Sequence, residues 1–135
     1  MKLFIVDDEE PNREFIQCVL ESMFPGAEIM QAVNGLEARD KITELADTSA
    51  VLPDIIFSDY QMPGLNGLEL LRFVKSHPLL KEVNFILSSG ILNPQHLEAE
   101  IIVHDKASFM AKPFLATELQ QLVLEVLAAN KKNKK

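Results

Sequence analysis

Cysteine occurs once in the 135 residues, at position 18, which excludes an intrachain disulfide and any cysteine-built metal cluster. Glycine and proline are also sparse, five and seven residues, too few for a fibrous or disordered chain. Basic residues are outnumbered by acidic ones, thirteen to twenty, for a formal charge of −7. Four of the thirteen are lysines in the last five positions, so residues 1–130 carry −11. So acidic a body lacks the basic face that a phosphate backbone requires, and no direct nucleic-acid binding is expected. Long apolar runs are missing too. The N-terminal run, Leu3 to Val6, stops at Asp7 and Asp8, short of a signal peptide and of the roughly 20 residues that span a membrane. A cytoplasmic protein without membrane insertion is the expectation.

What is present suffices for one domain: 47% of the residues are hydrophobic, enough to build a core at this length. Leu3–Val6, Ile55–Phe57 and Phe85–Leu87 are short continuous apolar runs, as strands covered on both faces show. Ala27–Val33 contains Glu28 and Gln31 and reads as a strand nearer the sheet edge, and Phe109–Ala111 as a fifth, short strand. Between the runs the period becomes helical. Phe15, Ile16, Val19, Leu20, Met23 and Phe24 mark one face from Pro11 to Phe24, with Cys18 packed beside it and Pro25-Gly26 as the stop. Asn34-Gly35 opens a second helix (Ala38, Ile42, Leu45 and Ala46 inward) and Asn66-Gly67 a third (Leu68, Leu71 and Val74 inward). Asn93-Pro94 reads as the cap and first turn of a fourth. Leu115, Leu119, Leu122, Val123, Val126 and Leu127 face inward from a fifth. Five β-α repeats with right-handed crossovers make a doubly wound α/β fold with a parallel sheet and helices on both faces.

Functional groups in such sheets gather beyond the carboxyl ends of the strands. Those ends are Asp7-Asp8, Asp59, Ser88-Ser89 and Lys112-Pro113. If the first and third strands are neighbours, three carboxylates share one small site, and each close pair costs on the order of 4 kcal/mol at an effective dielectric near 20. Proton uptake or a cation relieves this, and a hard divalent ion such as Mg²⁺ suits carboxylate oxygens. A single Asp after a strand is ordinarily a helix cap. Acidic pair, lone acid, hydroxyl and lysine at successive strand ends are too many for that reading. His77, His96 and His104 have no metal-like spacing and read as solvated. No glycine-rich loop follows the first strand, which removes support for a nucleotide or flavin site.

The segments FIVDDEEPNRE (4–14), NGLEA (34–38), PDIIFSDYQMPGLNGLELL (53–71), FILSSG (85–90) and FMAKPF (109–114) resemble the receiver domains of two-component response regulators, of the single-domain chemotaxis type. The likeness runs from Lys2 to about Ala129, giving a receiver domain over 1–130 and a lysine-rich tail over 131–135. It implies a flavodoxin-like sheet of five strands in the order 2-1-3-4-5 with five helices. It implies that Asp59 accepts a phosphoryl group from a phosphohistidine donor, a histidine kinase or a histidine phosphotransfer protein. Mg²⁺ would be held by Asp8, Asp59 and the backbone carbonyl of Gln61, with Asp7 acting through a water. Lys112, preceding a cis peptide bond to Pro113, and Ser88 would take phosphoryl oxygens. Inward movement of Ser88, with Phe109 filling the vacated space, would reshape a surface for a downstream protein target. Such a protein catalyses only its own phosphorylation and dephosphorylation.

Several positions depart from the family pattern. Phe109 stands where tyrosine is commoner and lacks its hydroxyl, which implies a shallower switch. Ser88 replaces the frequent threonine, and Leu87 before it favours Ser88 over Ser89 as the contact. His104-Asp105 occupies a turn where glycine is common. Gln61 and Gly90 would flank the path of an attacking water. Unless the chain is an excised piece, no room for a DNA-binding output domain is expected after the last helix, and output is expected through a protein contact, dimerisation or phosphate shuttling. Two rivals remain: a phosphorylation-independent degenerate receiver, and a phosphohydrolase, which would ordinarily carry an Asp where Gln61 stands.

Overall fold

In the computed structural model, which describes residues 1–133, strands β1 (Lys2–Val6), β2 (Glu28–Ala32), β3 (Ile55–Asp59), β4 (Asn84–Ser89) and β5 (Ala107–Ala111) pair in parallel. Their order is β2-β1-β3-β4-β5, the flavodoxin-like arrangement. The intervening helices are α1 (Glu10–Met23), α2 (Gly35–Asp47), α3 (Gly67–Ser76), α4 (Gln95–Ile102) and α5 (Ala116–Asn133). Every residue of β3 and β4 is buried, which explains their unbroken apolar character. The edge strands β2 and β5 are only partly covered and mix polar with apolar residues.

Alternation along the strands feeds two cores. Phe4, Val6, Ile56, Phe85 and Leu87 pack with Ala38, Ile42, Leu71, Val74 and Ile101 of α2, α3 and α4. On the other face Leu3, Ile5, Phe57, Ile86 and Met110 pack with Ile16, Leu20, Leu119 and Val123 of α1 and α5. Burying each of these side chains larger than alanine contributes about 1.5–3 kcal/mol. Among the described residues no helix is long and apolar enough to cross a membrane.

Caps set where the helices begin. Asn34 accepts the Glu37 N–H at 2.8 Å, and Asn66 and Glu69 form a reciprocal capping box at 2.8 and 3.0 Å. Asn93 does not cap α4. It is left-handed (φ 55°), which asparagine tolerates, and Pro94 takes the cap position without a side-chain bond. Leu115 is also no core residue, being 67% exposed at the entry to α5, where its N–H donates to Glu118. Phe15 is 41% exposed and stacks at a tilt on Phe114, ring centroids 5.9 Å apart. Cys18 is exposed rather than packed, because it lies on the outer flank of α1.

Glycine is common at His104-Asp105, but the left-handed residue of the turn before β5 is the next one, Lys106, at φ 57°. His96 is exposed, but His77 is half-buried, set edge-on to Phe73 with Nδ1 accepting the Leu79 N–H. His104 is half-buried as well. Helix α5 is described to Asn133, into the lysine-rich segment; Lys134 and Lys135, and with them the end of the expected tail, lie outside the described residues.

Candidate functional site

The face that buries Ile5, Phe57, Ile86 and Met110 carries, two residues further along each strand, Asp7, Asp59, Ser88 and Lys112. One sheet face therefore turns from apolar to charged at its carboxyl edge. Asp59 pairs in register with Ser88, and β1 adjoins β3, so the acids at their ends meet. One carboxylate oxygen each from Asp7, Asp8 and Asp59 lies within 4.8 Å of the other two. Asp7 is fully buried, Asp59 is 9% exposed and Asp8 is open to solvent.

Lys112 reaches this cluster from just beyond β5, and the peptide bond that follows it, to Pro113, is cis. Its Nζ donates to Asp59 Oδ1 at 3.0 Å and stands 3.5 Å from Asp7 Oδ2. Asp59 Oδ1 also accepts the Tyr60 N–H, and Asp7 Oδ1 the Glu9 N–H, both at 2.9 Å. Burial pushes the Asp59 carboxyl above its ordinary value, against the hydrogen bond and charge of Lys112 and with the charge of Asp7. Burial also pulls the Lys112 ammonium down. Its hydrogen bond to Asp59 and the charges of Asp59 and Asp7 outweigh that and hold it above the usual lysine value.

Three carboxylates against one ammonium leave a local charge of −2. One divalent cation offsets that, and carboxylate oxygens are the donors a hard ion takes. Oxygens around an octahedral Mg²⁺ lie about 3–4 Å apart, so only a small closure of the cluster is needed. The donor set fits.

The remaining expected residues fall around this centre. Ser88 is buried, its hydroxyl donating weakly to the Ser58 carbonyl at 3.5 Å. Ser89 lies on the opposite sheet face, where its hydroxyl accepts the Ile91 N–H at 3.2 Å. Gln61 is exposed and edges a shallow cleft with Tyr60, Pro63 and Asn66. Phe109 is half-buried against the α2–α4 core and borders a separate cleft between β5 and α5.

Two further residues shape the site in ways the sequence reading did not assign. A Cβ on Gly67 would stand 2.2 Å from the Asp59 carbonyl oxygen and 2.4 Å from Leu87, so only glycine lets α3 start this close to β3. Arg13, in α1, donates to the Asp7 carbonyl at 2.7 Å. A groove of about 360 Å³ opens beside the cluster, walled by Phe15, Ile16, Pro113 and Phe114, with Asp7 and Lys112 at its polar end.

Known proteins resemble this chain in sequence and fold. The chemotaxis protein CheY1 of Helicobacter pylori is 32% identical over 133 residues, covering 96% of this chain and 99% of its own length. A CheY homolog of Campylobacter jejuni is 28% identical, covering 94% and 92%. The receiver domain of a signal transduction histidine kinase from Syntrophus aciditrophicus superposes with a TM-score of 0.76 at 26% identity, covering 95% and 90%. The family model described as the response regulator receiver domain matches residues 3–124, and the chain belongs to that family.

Proposed function

We propose that this chain is a phosphorelay switch in which Asp59 accepts a phosphoryl group from a phosphohistidine donor. The observation that carries this reading is the Lys112 ammonium, 3.0 Å from Asp59 Oδ1 within a cluster of three aspartates. A carboxylate oxygen of Asp59 attacks phosphorus, the O–P bond forms, and the P–N bond breaks with its electron pair returning to the donor imidazole. Asp8, Asp59 and the Gln61 carbonyl would hold Mg²⁺, with Asp7 acting through a water. The ion supplies neutralisation of phosphoryl oxygen charge.

The chain's own groups do the rest. Lys112 takes one phosphoryl oxygen, and the hydroxyl of Ser88, the register partner of Asp59, donates to another. The apolar groove between α1 and the β5–α5 turn, ending at Asp7 and Lys112, gives the donor a place to dock. Histidine kinases and histidine phosphotransfer proteins carry that donor chemistry. Ser88 turning inward toward the phosphoryl group, with Phe109 following, biases the α4–β5–α5 surface that a downstream protein reads. The protein is then a switch that turns over only its own phosphoryl group.

Incubation with Mg²⁺ and acetyl phosphate, followed by intact-mass measurement, tests this. One added phosphoryl group is expected, absent in Asp59→Asn and in excess chelator. No adduct would favour a phosphorylation-independent interaction module, and sustained hydrolysis of unrelated phosphate esters would favour a phosphohydrolase.

A further inference from the structure

Asp8 is the exposed member of the acidic cluster, and its place depends on the backbone either side of it. The Asp7 N–H bonds to the Ala32 carbonyl at 3.2 Å, the last rung β2 offers, since β2 ends at Ala32. The Asp7 carbonyl therefore has no strand partner on that side. Arg13 Nη1 supplies one at 2.7 Å, while its Nε donates at 3.1 Å to Oε1 of Gln31 in β2. Gln31 in turn donates through Nε2 to Gln17, one turn further along α1. The guanidinium thus bridges the sheet edge, with Nε on Gln31 and Nη1 on the carbonyl of the peptide that joins Asp7 to Asp8.

We infer that Arg13 is a positioning residue for cation binding: by clamping the Asp7–Asp8 peptide plane it holds the Asp8 carboxylate toward Asp7 and Asp59. The inference rests on the reading of the three aspartates as a divalent-cation site. Its logic is that of outer-shell partners in metal sites, whose removal typically weakens metal affinity roughly 10–100-fold. Charge alone predicts the reverse. Removing a positive guanidinium beside a cation site strengthens cation binding by Coulomb attraction, so the sign of the change separates positioning from simple electrostatics.

The test is a Mg²⁺ titration of the ¹⁵N-labelled protein, followed through the amide shifts of Asp8, Asp59 and Tyr60 at fixed ionic strength. Arg13→Met should raise the Mg²⁺ dissociation constant about tenfold or more. Arg13→Lys keeps the charge but cannot span both the Asp7 carbonyl and Gln31, and should fall between. Gln31→Met, which frees the guanidinium without deleting it, should weaken Mg²⁺ severalfold and serves also if Arg13→Met fails to fold. Unchanged or tighter Mg²⁺ binding in Arg13→Met, or unchanged binding in both Arg13→Lys and Gln31→Met, overturns the inference. A wild-type protein with no saturable response overturns the cation reading itself and the inference with it.

Discussion

Lys112 and Asp59, 53 positions apart in sequence, meet through a single 3.0 Å hydrogen bond at the carboxyl edge of the sheet. The same ammonium stands 3.5 Å from the buried Asp7. Among the described residues it is the one cation paired with these two largely desolvated carboxylates. In Lys112→Met those carboxylates face each other unrelieved. In chelator the variant should lose on the order of 2 kcal/mol, less than a fully buried pair because the lysine is partly solvated. Saturating Mg²⁺ should restore more stability to the variant than to the wild type, since it then supplies all the compensating charge. Urea denaturation with and without Mg²⁺ measures both, and equal Mg²⁺ stabilisation of the two proteins contradicts this.

Gly67 marks how closely α3 abuts the site. Its missing Cβ would lie 2.2 Å from the Asp59 carbonyl oxygen, a backbone atom that cannot give way cheaply. Gly67→Ala should therefore cost on the order of 3 kcal/mol, the upper end for overpacking. It should also slow phosphoryl uptake, because relief of the clash moves β3. A urea midpoint equal to wild type would refute the packing account.

Much of this was legible in sequence because the central strands are covered on both faces. Leu3–Val6, Ile55–Phe57 and Phe85–Leu87 could only be buried runs, and each ends in a charged or hydroxyl residue. The helical faces were less legible because periodicity marks apolar residues without saying what covers them. Phe15 fits the core stripe of α1 yet lines the groove beside the aspartates, and Leu115 fits that of α5 yet precedes it. Asn93 has cap chemistry but spends its conformational tolerance on a left-handed turn. Asn66-Gly67 marked a helix start, but the closeness of α3 to Asp59 and the bond from Arg13 were not legible, since one rests on an absent atom and the other on a backbone carbonyl.

Lys75 offers a pH handle remote from the acidic cluster. Its Nζ donates to the carbonyls of Val83, Lys81 and Lys106 at 2.8, 3.0 and 3.3 Å, tying α3 to the turns before β4 and β5. Burial pulls this ammonium down to about 8; Glu82 and Asp105 oppose the shift and Lys106 adds to it. An unfolded lysine titrates near 10.5, so between about 8 and 10.5 the unfolded chain binds more protons than the folded one. Stability from this group accordingly rises with pH through that window. The difference in unfolding free energy between wild type and Lys75→Met should shift in favour of wild type from pH 8 to pH 10. Denaturant titrations across that range measure it, and a flat or falling difference contradicts the assignment.

The most direct measurement locates the phosphoryl group itself. After brief exposure to Mg²⁺ and acetyl phosphate, hydride reduction converts an aspartyl phosphate to homoserine, which peptide mass mapping places in the chain. Homoserine at position 59 alone, and none when Mg²⁺ is chelated, is the predicted result. Homoserine at position 7 or 8, or the same yield without the metal, would contradict the central assignment.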